Sequence, residues 1–145
     1  MASYDPTVFQ QDKTFIKDTV ARFVRHHDNE VFAREVHVDF SDFLGGAPEI
    51  FMREEWVDRL QRMMSGSHDS QRATSGIFVN LQQPGPESQR PLTCGAIVMA
   101  DGEVVEDGER IRIEGLFDLG LIRMSELERA GENPWRIYRQ VARKA

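Results

Sequence analysis

The sequence predicts an α+β fold: a cone-shaped, curved antiparallel sheet with N-terminal helices packed on its concave face. Two observations carry this. Apolar residues recur at helical spacing up to Gly66 and at alternating spacing after it. Gly95 and Gly115 fall inside alternating segments, where a glycine marks a bend or bulge that curves a sheet. No internal repeat or linker interrupts the chain, so residues 1–145 read as a single domain.

Residues 1–10 show no period and read as a loose arm. From Gln11 to Asp28, Phe15, Ile16, Thr19, Val20, Phe23, Val24 and His27 fit one amphipathic helix. In the next segment Val36, Val38 and Phe40 alternate with His37 and Asp39, as in a short strand. Gly45-Gly46-Ala47-Pro48 is a turn. A second helix runs from Arg53 to Met64, with Trp56, Val57, Leu60, Met63 and Met64 on one face and Gly66 to end it. Strands follow at Ile77–Leu81 and Pro91–Ala100, separated by the polar Gln82–Pro91 connection. Asp101-Gly102 and Asp107-Gly108 are both turn candidates. A long strand covers Arg110–Met124, with Ile113, Gly115, Phe117, Leu119 and Leu121 on one face. The last covers Trp135–Ala142, with Trp135, Ile137 and Val141 on one side.

The net charge of −6 and the scattered basic residues argue against a nucleic-acid or anionic-membrane surface. No apolar run approaches the ~18 residues of a membrane span, and the N-terminus lacks a signal-peptide pattern. The single cysteine, Cys94, excludes an intramolecular disulfide and suits a reducing compartment. A cytoplasmic protein is expected.

Asp28 is the candidate catalytic group. Ile16, Val20, Val24 and Asp28 recur every fourth residue, so the row facing a core ends in a carboxylate. Either the helix stops near Asn29 and Asp28 is solvated, or Asp28 enters a cavity where a shifted pKa is useful. His26 and His27 point about 100° apart on a helix, so they do not share an ion, and no metal site is expected. His27 reads as a half-buried packing residue and a minor site candidate. Asp118 shares the polar parity of its strand and faces solvent or a second subunit unless a bulge near Gly120 turns it inward. Arg123, on the inner parity, closes a cavity rim or caps a carboxylate.

Val36-His37-Val38-Asp39-Phe40-Ser41-Asp42-Phe43-Leu44-Gly45-Gly46, Glu55-Trp56-Val57, Asp69-Ser70-Gln71-Arg72, Gly115 through Arg123 and Pro134-Trp135-Arg136-Ile137 carry a resemblance. Their order is similar to the nuclear-transport-factor-2-like superfamily, within it the SnoaL-like cyclases and scytalone-dehydratase-like proteins. The resemblance implies a shielded pocket for cofactor-independent proton transfer. Asp28 matches the catalytic Asp of the dehydratase branch. Arg72 stands where that branch has a His, and Asp101 falls near a second. Phe40 and Phe117 replace residues that are often Tyr. An arginine stays protonated at working pH, so Arg72 would hold Asp28 ionised or bind an oxyanion.

Two functions follow as expectations. One is a cyclase, isomerase or dehydratase acting on an apolar, polycyclic natural-product intermediate. Asp28 and Arg72 would be catalytic, with Phe40, Trp56, Phe117, Met99, Leu119 and Arg123 contacting substrate. The other is a non-catalytic ligand-binding or assembly module on the same scaffold. Either would be a homodimer, as the resemblance implies pairing through the outer sheet face.

Overall fold

The computed structural model describes residues 3–26, 28–64 and 76–144. Helix α1 (Pro6–His26) leads through a 3₁₀ turn (Asn29–Val31) into β1 (Phe32–Asp39). Then come α2 (Ser41–Leu44), β2 (Glu49–Met52), α3 (Arg53–Met64), β3 (Ile77–Asn80), β4 (Thr93–Glu106) and β5 (Glu109–Arg123). Helix α4 (Ser125–Arg129) and β6 (Trp135–Lys144) complete the chain. The strands form one six-stranded sheet in the order β2-β1-β6-β5-β4-β3. It is mixed rather than wholly antiparallel, because β1 and β6 run parallel. These two strands lie far apart in sequence, so no hairpin sets their relative direction.

Helices α1 and α3 cover the concave face. Ile16, Val20, Phe23 and Val24 of α1 are buried, as are Trp56, Val57, Leu60 and Met63 of α3. Each such side chain contributes about 1.5–3 kcal/mol on burial, which holds two helices that charged outer faces would leave marginal alone. The Phe23 ring meets Phe32 and Phe117 edge-on, each at 5.9 Å. The cone is thereby packed shut beneath α1. Among the described residues no helix is long and apolar enough to cross a membrane.

The N-terminal segment is not a loose arm. Pro6, with its φ preset, opens α1, and Tyr4 and Phe9 are both buried in the core. The strand that seemed to stop at Ala100 runs on to Glu106, so Asp101-Gly102 is strand and not turn. Asp107-Gly108 makes the hairpin, with φ of 52° and 79°, as a two-residue primed turn requires. That choice sets Val104 opposite Ile111 and Val98 opposite Phe117, aligning the apolar faces of both strands.

One irregularity matters for the site. Between β5 and β6, Gly120 pairs with Arg139 but Leu121 pairs with Ile137, leaving Tyr138 as an extra residue. A one-residue slip exchanges the two faces of a strand. Trp135 and Ile137 therefore point into the cone, and beyond the bulge Gln140 and Ala142 do so instead of Val141. Gly120 makes room for this: a Cβ there would lie 3.0 Å from the Tyr138 ring.

Candidate functional site

The open end of the cone is bounded by the end of β1, the Gly45–Ala47 loop, β2, α3 and the β4–β5 hairpin. These elements border a half-open cavity of about 170 Å³. Phe40, Phe51, Trp56 and Met63 form its apolar walls. Trp56 stacks on Phe51 (5.3 Å between centroids, 28°) and meets Phe40 edge-on at 5.6 Å. Phe40 in turn rests on Phe117 at 5.8 Å. Behind Phe40 the interior is filled by side chains, apart from a void of about 10 Å³, barely the space of one water.

Two polar features define the cavity. Arg59 at its rim donates to Glu106 (Nη2 to Oε1, 2.7 Å), and its guanidinium carbon lies 5.5 Å from the centroid of the Phe51 ring. Behind the wall, Trp56 Nε1 donates to Gln140 Oε1 at 2.9 Å. An indole N–H only donates, which fixes the amide orientation and turns Gln140 Nε2 away from it. That nitrogen is buried and has no hydrogen-bond partner among the described residues. Gln140 reaches this place only because of the Tyr138 bulge.

The residues singled out from sequence separate into groups. Phe40 and Trp56 line the cavity, with Phe117 behind Phe40, while Leu119 lies in the deep core at 0% exposure. Met99 does not contact the interior: it is 54% exposed on the convex face, because Val98 and Ala100 take the inward parity. Asp118 is also on the convex face, 3.5 Å from Arg139 and 3.3 Å from Arg143. The bulge near Gly120 shifts β6 and leaves Asp118 pointing outward. Asp101 borders the small void, but its carboxylate turns out to Arg112 at 2.7 Å. Arg123 sits at the far end of the sheet, where Nε donates to Pro91 O at 3.2 Å and Nη1 approaches Glu128 at 3.6 Å.

Asp28 is not part of the buried row, because α1 ends at His26, before the period reaches it. Its Oδ1 accepts from Glu30 N at 3.0 Å, capping the 3₁₀ turn, and its Oδ2 accepts from Arg22 Nε at 3.0 Å. The side chain is 33% exposed and does not line the aromatic cavity. Arg72 and His27 lie outside the described residues. An open groove of about 420 Å³ near the 3₁₀ turn is bounded largely by charged side chains of both signs, among them Glu30, Arg53, Glu126 and Arg136.

Sequence reasoning missed a second carboxylate. Asp12, on the row Asp12, Ile16, Val20, is completely buried. It accepts from Tyr4 Oη (2.7 Å), Trp135 Nε1 (3.0 Å) and Arg90 Nη2 and Nε (2.7 and 3.0 Å). Burial pushes its carboxyl upward, but the hydrogen bonds from Arg90, Tyr4 and Trp135 outweigh that and hold it below the usual range. Nearby, burial first and the Asp12 charge second push the Cys94 thiol up to about 12. Arg90 and the Tyr4 N to Ser88 O bond (2.8 Å) fasten the Gln82–Pro91 connection to α1. This cluster lies at the start of β4, and the cavity at its end, 14 residues away. The connection is therefore no lid over the cavity.

No protein-family model matches the chain, and no curated protein matches it in sequence. Solved structures do match in fold. Kfla4162 from Kribbella flavida superposes with a TM-score of 0.59 at 16% identity, over 91% of this chain and 89% of that one. An NTF2-like protein with a cystatin-like fold from Novosphingobium aromaticivorans gives 0.52 at 14%, over 93% and 82%. Rv3472 from Mycobacterium tuberculosis, described as of unknown function, gives 0.52 at 12%, over 94% and 77%. The fold is thus nuclear-transport-factor-2-like, an α+β cone.

Proposed function

We propose that the protein is a small-molecule-binding domain whose ligand occupies the cavity of Phe40, Phe51 and Trp56. The observation that carries this reading is an unfilled cavity walled by Phe40, Phe51, Trp56 and Met63 in an otherwise closely packed interior. Small ligands occupy concave, aromatic-lined spaces of this kind. The volume suits a compact ligand. An apolar cavity of about 150 Å³ holds benzene, whereas drug-sized ligands occupy about 300 Å³ or more. One ring or its equivalent fits about 170 Å³; a polycyclic intermediate calls for a larger site.

Binding is favoured over proton transfer by the position of the ionisable groups. A general base must come within hydrogen-bond reach of the proton it takes, and Asp28 is outside this cavity. Of the carboxylates that line it, Glu106 is engaged by Arg59, and Glu49 and Asp107 are exposed at its mouth rather than shielded within it. Titration of the protein with cyclohexanol, followed by tryptophan fluorescence, tests the reading. Saturable binding should be lost in Phe51→Ala and kept in Asp28→Asn, both of which retain the reporting Trp56. If Asp28→Asn abolishes it, the site lies elsewhere and the catalytic reading returns.

Assembly as a homodimer through the convex sheet face belongs to the same proposal. Phe78 and Ile97, opposite each other on β3 and β4, are exposed, as is Met99. The same face carries Asp118 between Arg139 and Arg143. Light scattering should find a dimer for the wild type and a monomer for Phe78→Glu.

A further inference from the structure

We propose that the ligand is a small organic cation, a methylated ammonium with a short apolar body; this rests on the cavity being a ligand site. Three aromatic side chains line the cavity, and the negative face of an aromatic ring attracts a cation. Among the described residues the titratable groups lining it are Glu49, Glu106 and Asp107 against Arg59. Arg59 is engaged by Glu106, and neither Glu49 nor Asp107 forms an ion pair with a described residue. The excess is negative, which disfavours an anion and leaves a neutral ligand without electrostatic benefit.

Arg59 also shows how this wall treats a cation. Its guanidinium lies over the Phe51 ring while Glu106 supplies the counter-charge at 2.7 Å. A methylated ammonium would occupy the same field with a better fit to the interior, since it carries no N–H donors that need partners. Arg59 would then swing toward solvent, which its partial exposure permits. Trp56, held in place by Gln140 and only 2% exposed, backs the Phe51 ring. The Phe51 face that Arg59 now covers is therefore the one a cation would meet.

Isothermal titration with choline and with 3,3-dimethylbutan-1-ol tests the inference, because the two match in shape and differ in charge. Choline should bind about five- to thirtyfold more tightly than the alcohol. That preference should collapse in Glu106→Gln and grow in Arg59→Met, with circular dichroism confirming that both variants fold. The wild-type comparison decides the matter even if a variant does not fold. Equal or tighter binding of the alcohol overturns the cation inference and leaves the cavity as a ligand site. Binding of neither probe, at concentrations to 100 millimolar, overturns both.

Discussion

The two ends of the sheet each hold a tryptophan whose indole N–H is bonded to a buried side chain, and they differ in one respect. At the closed end Trp135 donates to Asp12, which accepts from three side chains altogether. At the open end Trp56 donates to Gln140, whose buried amide nitrogen has no partner among the described residues, and the other side of the aromatic wall borders the cavity. A fully engaged cluster ties elements together and leaves nothing for a ligand to gain. The open end keeps a space walled by aromatic rings, and that is where binding adds something.

The largest expected effect falls on the closed end. Asp12→Ala leaves Arg90 partly buried without its main partner and strands two further donors. Loss of one member of a buried pair costs about 3–5 kcal/mol, and the partial exposure of Arg90 places this near the lower limit. Urea unfolding at neutral pH measures it, and a loss below about 1 kcal/mol would break the contrast between the ends.

The same carboxylate gives a pH dependence of fixed sign. Its folded pKa lies below the ordinary 3.8, so the unfolded state binds the proton more readily. Its contribution is therefore complete above the unfolded value and is lost as pH falls through the folded one. The stability difference between wild type and Asp12→Asn should shrink as pH falls from 5 toward 2. A constant difference would mean that the Asp12 charge plays no part.

At the open end the effects are smaller. Gln140→Leu leaves the Trp56 indole N–H buried without an acceptor, and Trp56→Phe leaves the whole amide unpartnered. Each should cost about 1–3 kcal/mol on the hydrogen-bond count, with Trp56→Phe also losing ring area. The double variant should cost less than the sum, because no polar group is then stranded. Strict additivity in urea midpoints would show that the two side chains are not coupled.

How much of this was legible follows from what a one-dimensional pattern encodes. The stripe of α1, the apolar face of α3 and the parity of β5 repeat regularly, and the structure bears them out. The orientation of Gln140 was not legible, since one extra residue at Tyr138 exchanges the faces of β6 without altering the alternation in sequence. Two Asp-Gly pairs were equivalent as turns until the pairing of β4 with β5 selected Asp107-Gly108. The row that drew attention to Asp28 also contains Asp12 one turn before Ile16. The four-residue spacing buries Asp12, whereas at Asp28 the helix has already stopped. Phe40 and Trp56 were placed in the pocket by resemblance; Phe51, Arg59, Glu106 and Gln140 converge from separate elements and had no local signature.

The smallest expected effect is at Asp28. Asparagine caps a helical turn about as well as aspartate, and the exposed pair with Arg22 contributes little. Asp28→Asn should therefore change stability by less than about 1 kcal/mol and leave the cavity unaffected.

The chain has two tryptophans, one at each end, so the two indole N–H resonances report on both regions in one nitrogen–proton correlation spectrum. Titration with choline is the most direct test that the open end is the ligand site. The Trp56 resonance should move saturably and the Trp135 resonance should stay fixed. Movement of Trp135 with Trp56 unchanged would contradict the assignment and move the site to the Asp12 end.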